Sequence, residues 1–121
     1  MAEMAFEHTL GIKVTRKHKD GVTVEVPLTP NLFNSLGVLH GGITAAIADE
    51  AAWFVLAQHA GKRDCTTTEL KINYLRPIAG KKVRARGVLL RLGRTLVVTR
   101  VDLFDDHNRL AAAALVTYML L

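Results

Sequence analysis

The sequence predicts an α+β domain in which an antiparallel sheet wraps one long central helix. Three observations carry that expectation. Residues 40–59 form a stretch rich in alanine and free of proline, long enough for a helix of about 30 Å. Apolar residues occur around the whole circumference of that stretch, which marks a helix meant to be buried rather than laid on a surface. Two alternating segments precede it and four follow it, so one helix meets a sheet large enough to cover it.

Taken in order, residues 12–18 and 22–28 alternate, with Ile12, Val14, Val22, Val24, Val26 and Leu28 on one parity. Asp20-Gly21 between them reads as a hairpin turn, glycine accepting the positive φ that a tight turn needs. Pro27 and Pro30 close the second strand, and residues 30–34 read as a turn or short helical piece. The helix from His40 to His59 stops at Ala60-Gly61. Residues 65–76 alternate up to Pro77, residues 82–92 and 95–104 flank Gly93-Arg94, and residues 110–121 form a last strand after the turn at Asp105-Asp106-His107-Asn108. Arg84 and Arg86 share one phase while Arg91 takes the other, so a bulge is expected at Gly87.

A chain of 121 residues is one domain by length, here 1–121. Half of it is hydrophobic and 22% is charged, which excludes a disordered chain, and an aromatic content of only 6% calls for an aliphatic, alanine-rich core. Met1 to Leu10 carries Glu3, Glu7 and His8 without an apolar run, so it does not read as a signal peptide, and no stretch reaches the roughly 20 apolar residues of a membrane span. The single Cys65 fits a reducing compartment, and the expected location is the cytoplasm, without a membrane partner. The net charge of +5 suits either nucleic acid or a small polyanion. The bases form no block; they recur along strands, as Lys13, Arg16, Lys17 and Lys19 and again as Lys81, Lys82, Arg84 and Arg86, which a solvated sheet face explains equally well. Nucleic acid is therefore not expected as a partner.

Two features of the helix point to chemistry. Gly41 and Gly42 let a ligand approach its first turn, where unpaired N–H groups and the helix dipole favour a developing negative charge such as a carbonyl becoming an oxyanion. Close packing at the helix entry is the plainer use of the same glycines. Asp49 lies mid-helix, one turn from Ala45, Ala46, Ala52 and Trp53, where an acid is costly unless it is paired or functional. Its neighbour Glu50 competes for that role, and periodicity alone does not choose between them. Eight residues separate Gly41 from Asp49, about 12 Å along the axis, so one substrate carbon cannot touch both within a chain. If both act on one carbonyl, they come from two subunits related by a two-fold axis.

Asn34-Ser35-Leu36-Gly37-Val38-Leu39-His40-Gly41-Gly42, followed by Asp49, resembles the signature of the phenylacetate-pathway (PaaI-like) hotdog-fold thioesterases. The element order fits nearly the whole chain, and residues 68–77 resemble that family's strand after the helix. The resemblance implies hydrolysis of acyl- or aryl-CoA thioesters, with no cofactor because CoA is part of the substrate. It implies that Asp49 activates water or attacks directly, that the Gly41 N–H polarises the carbonyl, and that Asn34 orients the carbonyl or the nucleophile. His40 belongs to the motif, either at the carbonyl or holding a loop. Thr67 falls where relatives place a hydroxyl that holds the catalytic water, with Thr66 and Thr68 leaving that register open by one. Gly42 accompanies Gly41, and Arg76, Lys81, Lys82 and Arg94 are candidates for the CoA phosphates, though solvation serves each as well. Trp53, Phe54 and Phe33 are candidates for the acyl pocket, with core packing the plainer role for Phe54. A homodimer is the minimum assembly and a homotetramer the expected one. His8, His18, His59 and His107 lack ligand spacing with Cys65 or one another, so no metal site is expected.

Two other functions share this fold. Acyl-CoA hydratases and dehydratases place a catalytic histidine differently, and the run from Asn34 to Asp49 argues against them. Acyl-CoA-sensing regulators carry a DNA-binding segment ahead of the domain, whereas about ten residues precede the first strand here.

Overall fold

Alternation of valines with polar residues, read above as strands, builds the sheet that receives the helix. The computed structural model describes residues 5–121; residues 1–4, part of the segment read as lacking signal-peptide character, lie outside it. The elements are α1 (Phe6–Leu10), β1 (Lys13–His18), β2 (Gly21–Pro27), α2 (Gly41–Ala60), β3 (Cys65–Tyr74), β4 (Lys82–Leu92), β5 (Leu96–Phe104) and β6 (Leu110–Leu120), with a 3₁₀ turn at Pro30–Leu32. The six strands form one antiparallel sheet in the order β1-β2-β4-β5-β6-β3; α2 packs across the other five strands and reaches the end of β1 through Gln58, whose Nε2 donates to the His18 carbonyl at 2.7 Å. This is the hotdog arrangement expected from the sequence. No helix among the described residues is long and apolar enough to cross a membrane.

The core is aliphatic, as composition demands. Ile47, Ala48, Ala51, Ala52, Val55 and Leu56 of α2 are buried against Val22, Val24, Val83, Val97, Val101 and Val116 of the sheet. Small residues set the distance between the layers. A Cβ on Gly87 would stand 2.7 Å from Val55 Cγ2, so a glycine there lets α2 lie down on β4. The opposite face of α2, with Ala45, Ala46, Asp49, Glu50, Trp53 and Phe54, is only half-buried within the chain. One subunit's sheet covers one side of an all-round apolar helix and leaves the other accessible.

Two local expectations are corrected and one element is added. The bulge of β4 lies at Leu90, between the pairs Leu89–Thr99 and Arg91–Val98, while Gly87 pairs regularly with Val101. Gly87 is explained by helix packing instead. The hairpin turn is Lys19-Asp20, and Gly21 opens β2 in a near-extended conformation at φ 159. A Cβ on Gly21 would lie 1.9 Å from the Gly87 carbonyl oxygen, so only glycine fits where β2 starts against β4, with Gly21 paired to Val88 and Gly87 to Val22. Finally, α1 was not foreseen: five residues carry no readable periodicity, although Gly11 at φ 68 caps its end and Leu10 is buried beneath it.

Candidate active site

Asp49 sits on the open side of α2 with its carboxylate tied at one oxygen. Thr67 of β3 donates its hydroxyl to Asp49 Oδ1 at 2.8 Å, and Tyr118 of β6 donates to the same oxygen at 2.8 Å. The two donors arrive together because Thr67 and Tyr118 are directly paired across β3 and β6. Thr67, rather than Thr66 or Thr68, reaches the helix because β3 bulges at Thr68, between the pairs Thr67–Tyr118 and Glu69–Thr117. Thr68 turns its hydroxyl to the Thr117 carbonyl instead. The neighbouring acid behaves differently. Glu50 accepts no hydrogen bond among the described residues, and burial, then the charges of Glu7 and Asp49, push its carboxyl above the usual glutamate range. The structure therefore separates two adjacent carboxyls, one held by donors and one unsupported.

The start of α2 is organised by its own loop. Asn34 Oδ1 accepts from the N–H groups of Leu36 (2.9 Å) and Val38 (3.3 Å), and the loop is closed by the Phe33–Leu39 bridge and the His40 N–H to Leu32 carbonyl bond. Within the chain, the carbonyl end of Asn34 thus shapes the loop and its NH₂ remains for other partners. His40 is the N-cap: its Nδ1 accepts from the Gly42 N–H at 2.9 Å, which places the proton of the neutral ring on Nε2. A Cβ on Gly42 would lie 3.1 Å from the His40 ring, so this glycine serves the cap, and its N–H is already used. Ile43 and Thr44 donate to the His40 carbonyl. The Gly41 N–H is left as the first-turn donor without an acceptor among the described residues. Tyr74 of β3 braces that turn by donating to the Gly41 carbonyl at 2.7 Å.

Within one chain these two halves stay apart. Gly41 and Asp49 lie on one uninterrupted helix, about 12 Å from each other along its axis. Clefts flank each half. Val38, Leu39, Thr44, Tyr74, Leu75 and Arg76 line one of about 340 Å³ beside the helix start. Glu7, Glu50, Trp53 and Tyr118 line another of about 290 Å³ beside Asp49. A third, of about 540 Å³, runs between α1 and α2 and is floored by Ile12, Trp53, Phe54 and Ala57. Trp53 stands between the last two, its ring 5.2 Å from Phe54 in an edge-to-face pair. Phe33 and Phe54 also pack on the core.

The basic candidates are not gathered into one group. Arg76 borders the cleft at the helix start. Lys82 pairs with Glu25 at 3.7 Å, and the Lys81 N–H is bound by Asp106 Oδ2. Those three lie at the end of the sheet that holds the start of α2, whereas Arg94 sits in the β4–β5 turn at the opposite end. The length of β5 between the two ends is about 27 Å, so Arg94 cannot share a phosphate with the others in one subunit. Among the described residues, no three His, Cys, Asp or Glu side chains gather as a metal site would require.

Sequence reasoning missed Tyr118, Tyr74 and Glu7. Tyr118 is the most informative omission. It shares parity with the inward-facing Ala112, Ala114 and Val116, and a buried tyrosine hydroxyl needs a partner. That combination was the available signal, but the partner lies 69 residues away in sequence.

Comparison with known proteins gives the family of the chain. The profile of the thioesterase superfamily matches residues 36–112, which include the Asn34-loop end, the helix start, Asp49 and Thr67. A putative esterase of Saccharolobus solfataricus is 31% identical over 112 residues, covering 93% of this chain and 80% of its own. The medium/long-chain acyl-CoA thioesterase YigI of Escherichia coli K12 is 30% identical over 132 aligned positions, covering 96% of this chain and 85% of that protein. Among solved structures, a putative thioesterase of Ralstonia eutropha, described as related to phenylacetic acid degradation, superposes with a TM-score of 0.89 at 25% identity, over 97% of this chain and 90% of that one. The profile spans more than half of the chain and the relatives cover nearly all of it, so the chain belongs to the thioesterase superfamily.

Proposed function

We propose that the protein hydrolyses acyl-CoA thioesters with Asp49 as the carboxylate that drives the reaction. One observation carries this reading: a half-buried aspartate on the accessible face of α2 is held at Oδ1 by two hydroxyls, which leaves Oδ2 without a partner among the described residues, and one of those donors, Tyr118, lines a neighbouring cleft of about 290 Å³. In the base form of the mechanism, Asp49 removes a proton from water as the water adds to the thioester carbonyl. The resulting oxyanion is stabilised by the Gly41 N–H and the dipole of α2, and collapse expels the CoA thiolate, which takes a proton. In the nucleophilic form, an Asp49 oxygen attacks the carbonyl carbon and the C–S bond breaks to expel the CoA thiolate, which takes a proton; water then hydrolyses the resulting anhydride to the free acid and the Asp49 carboxylate. The spacing of Gly41 and Asp49 requires two chains for either form, so the working unit is a homodimer, which assembles further into a tetramer. The apolar floor of the cleft between α1 and α2, with Ile12, Trp53 and Phe54, suits an aliphatic or aromatic acyl group, in keeping with the name of the Escherichia coli relative, a medium/long-chain acyl-CoA thioesterase. Arg76 is the base best placed for a CoA phosphate.

The test is thiol release from a panel of short, long and aromatic acyl-CoAs, with EDTA and without any added cofactor. Hydrolysis that EDTA does not reduce supports the reading. Hydration of an enoyl-CoA without thiol release would reassign the chain to the hydratase class.

A further inference from the structure

We infer that Tyr118 is a positioning residue for Asp49: its phenol, together with the Thr67 hydroxyl, clamps Oδ1 so that Oδ2 is the oxygen offered to the reaction. The inference rests on the thioesterase reading, and its geometry stands within one chain. Tyr118 is 6% exposed and lies directly across from Thr67 in the β3–β6 ladder, so both hydroxyls converge on the same carboxylate oxygen at 2.8 Å. The phenol oxygen also lies 3.0 Å from the Asp49 backbone carbonyl. A phenol has one proton to give, and an ionised carboxylate is the stronger acceptor, so the bond to Oδ1 is favoured while Asp49 is charged. Protonation of Asp49 weakens that preference and frees the phenol to turn to the carbonyl.

The role is donation, not proton transfer. Burial first, and then the hydrogen bond to the Asp49 carboxylate, raise the Tyr118 phenol far above its usual range, so it stays protonated throughout the working pH of an enzyme. The other titratable groups around Asp49 are Glu50 on the same helix, Cys65 on β3 and, beyond Glu50, Glu7 on α1.

Tyr118→Phe keeps the ring and removes only the donor. The expected result is a kcat lowered by about tenfold with KM little changed, because a substrate still binds to a misaligned carboxylate. The acid limb of the kcat/KM profile should move up by about one pH unit, since a hydrogen bond to the charged form is lost. A carboxyl carbon NMR titration of Asp49 reads the same upward shift without any substrate, and so stands even if the protein hydrolyses no thioester. Should Tyr118→Phe fail to fold, 3-fluorotyrosine incorporated in a Tyr74→Phe background alters only Tyr118 and makes it a stronger donor. Against unfluorinated Tyr74→Phe, both the acid limb and the Asp49 titration should then move down. An Asp49 titration unchanged in either protein overturns the inference, whereas a shifted titration in an enzyme that cleaves no acyl-CoA overturns the thioesterase reading alone.

Discussion

Replacing Asp49 by asparagine removes a charge while leaving the shape of the site intact. The amide oxygen can accept the same two hydroxyls, from Thr67 and Tyr118, that Oδ1 accepts at 2.8 Å each. Those bonds change from charge-assisted to neutral, a loss of about 1 kcal/mol per bond, partly offset because a half-buried charge no longer needs solvation. Folding should therefore survive with a stability change of no more than about 2 kcal/mol. The rate should not survive. A positioned base or nucleophile contributes about 10²–10⁴-fold, or about 2.7–5.4 kcal/mol of barrier. Glu50→Gln is the matched control, one residue along the same helix and without a hydrogen-bond donor among the described residues. Steady-state thiol release at saturating acyl-CoA, with melting curves for both variants, measures each part. Asp49→Asn should lose at least a hundredfold in kcat and Glu50→Gln less than about threefold. Retention of activity by Asp49→Asn, or an equal loss in Glu50→Gln, would show that the wrong acid has been assigned.

Two further predictions concern the scaffold. Because burial raises the Glu50 carboxyl above its ordinary value of 4.5, the folded protein holds that proton more tightly than the unfolded chain. Glu50 thus costs stability progressively as pH rises from that value through its folded one. Glu50→Gln should melt higher than wild type at neutral pH, with the gain vanishing below about pH 4.5; an equal gain at all pH values would refute the assignment. Gly87→Ala forces a methyl within 2.7 Å of the Val55 side chain and 3.4 Å of the Ala51 carbonyl, and should destabilise by about 1–3 kcal/mol in urea unfolding. A neutral substitution there would mean that α2 does not lie as close to β4 as described.

The order of elements was legible because each has a period of its own. Valines at 22, 24 and 26 and alanines through 45–52 point to different structures whatever their neighbours do. Sites where two strands or two layers meet were not legible in that way. Gly87 breaks a pattern for a reason that lies in α2, and the real bulge at Leu90 leaves no glycine to mark it. The same limit applies at the site. Extending the parity of Leu70 and Ile72 backward along β3 would point Thr68 and Thr66 at the helix, and only the bulge at Thr68 brings Thr67 there. Asp49 and Gly41 could be singled out because an acid and a glycine are conspicuous on an alanine-rich helix, whereas His40 came only with the family motif and its capping role only with the structure. Tyr118 was not conspicuous on a strand of alanines, leucines and valines, since its role depends on a pairing between β3 and β6 that no local pattern encodes.

The central claim is that one catalytic centre combines the helix start of one subunit with the carboxylate of another. Its most direct test co-refolds Asn34→Ala, which disrupts the loop leading into α2, with Asp49→Ala, which removes the carboxylate. Each protein should be nearly inactive alone. A mixed dimer carries both lesions in one site and neither in the other, and random mixing places about half of all dimers in that class. About a quarter of sites should therefore be intact, and the mixture should recover about a quarter of the activity of refolded wild type. A wild-type control that regains full activity beside a mixture that regains none would contradict the shared site, and would require Asn34 and Asp49 to act within a single chain.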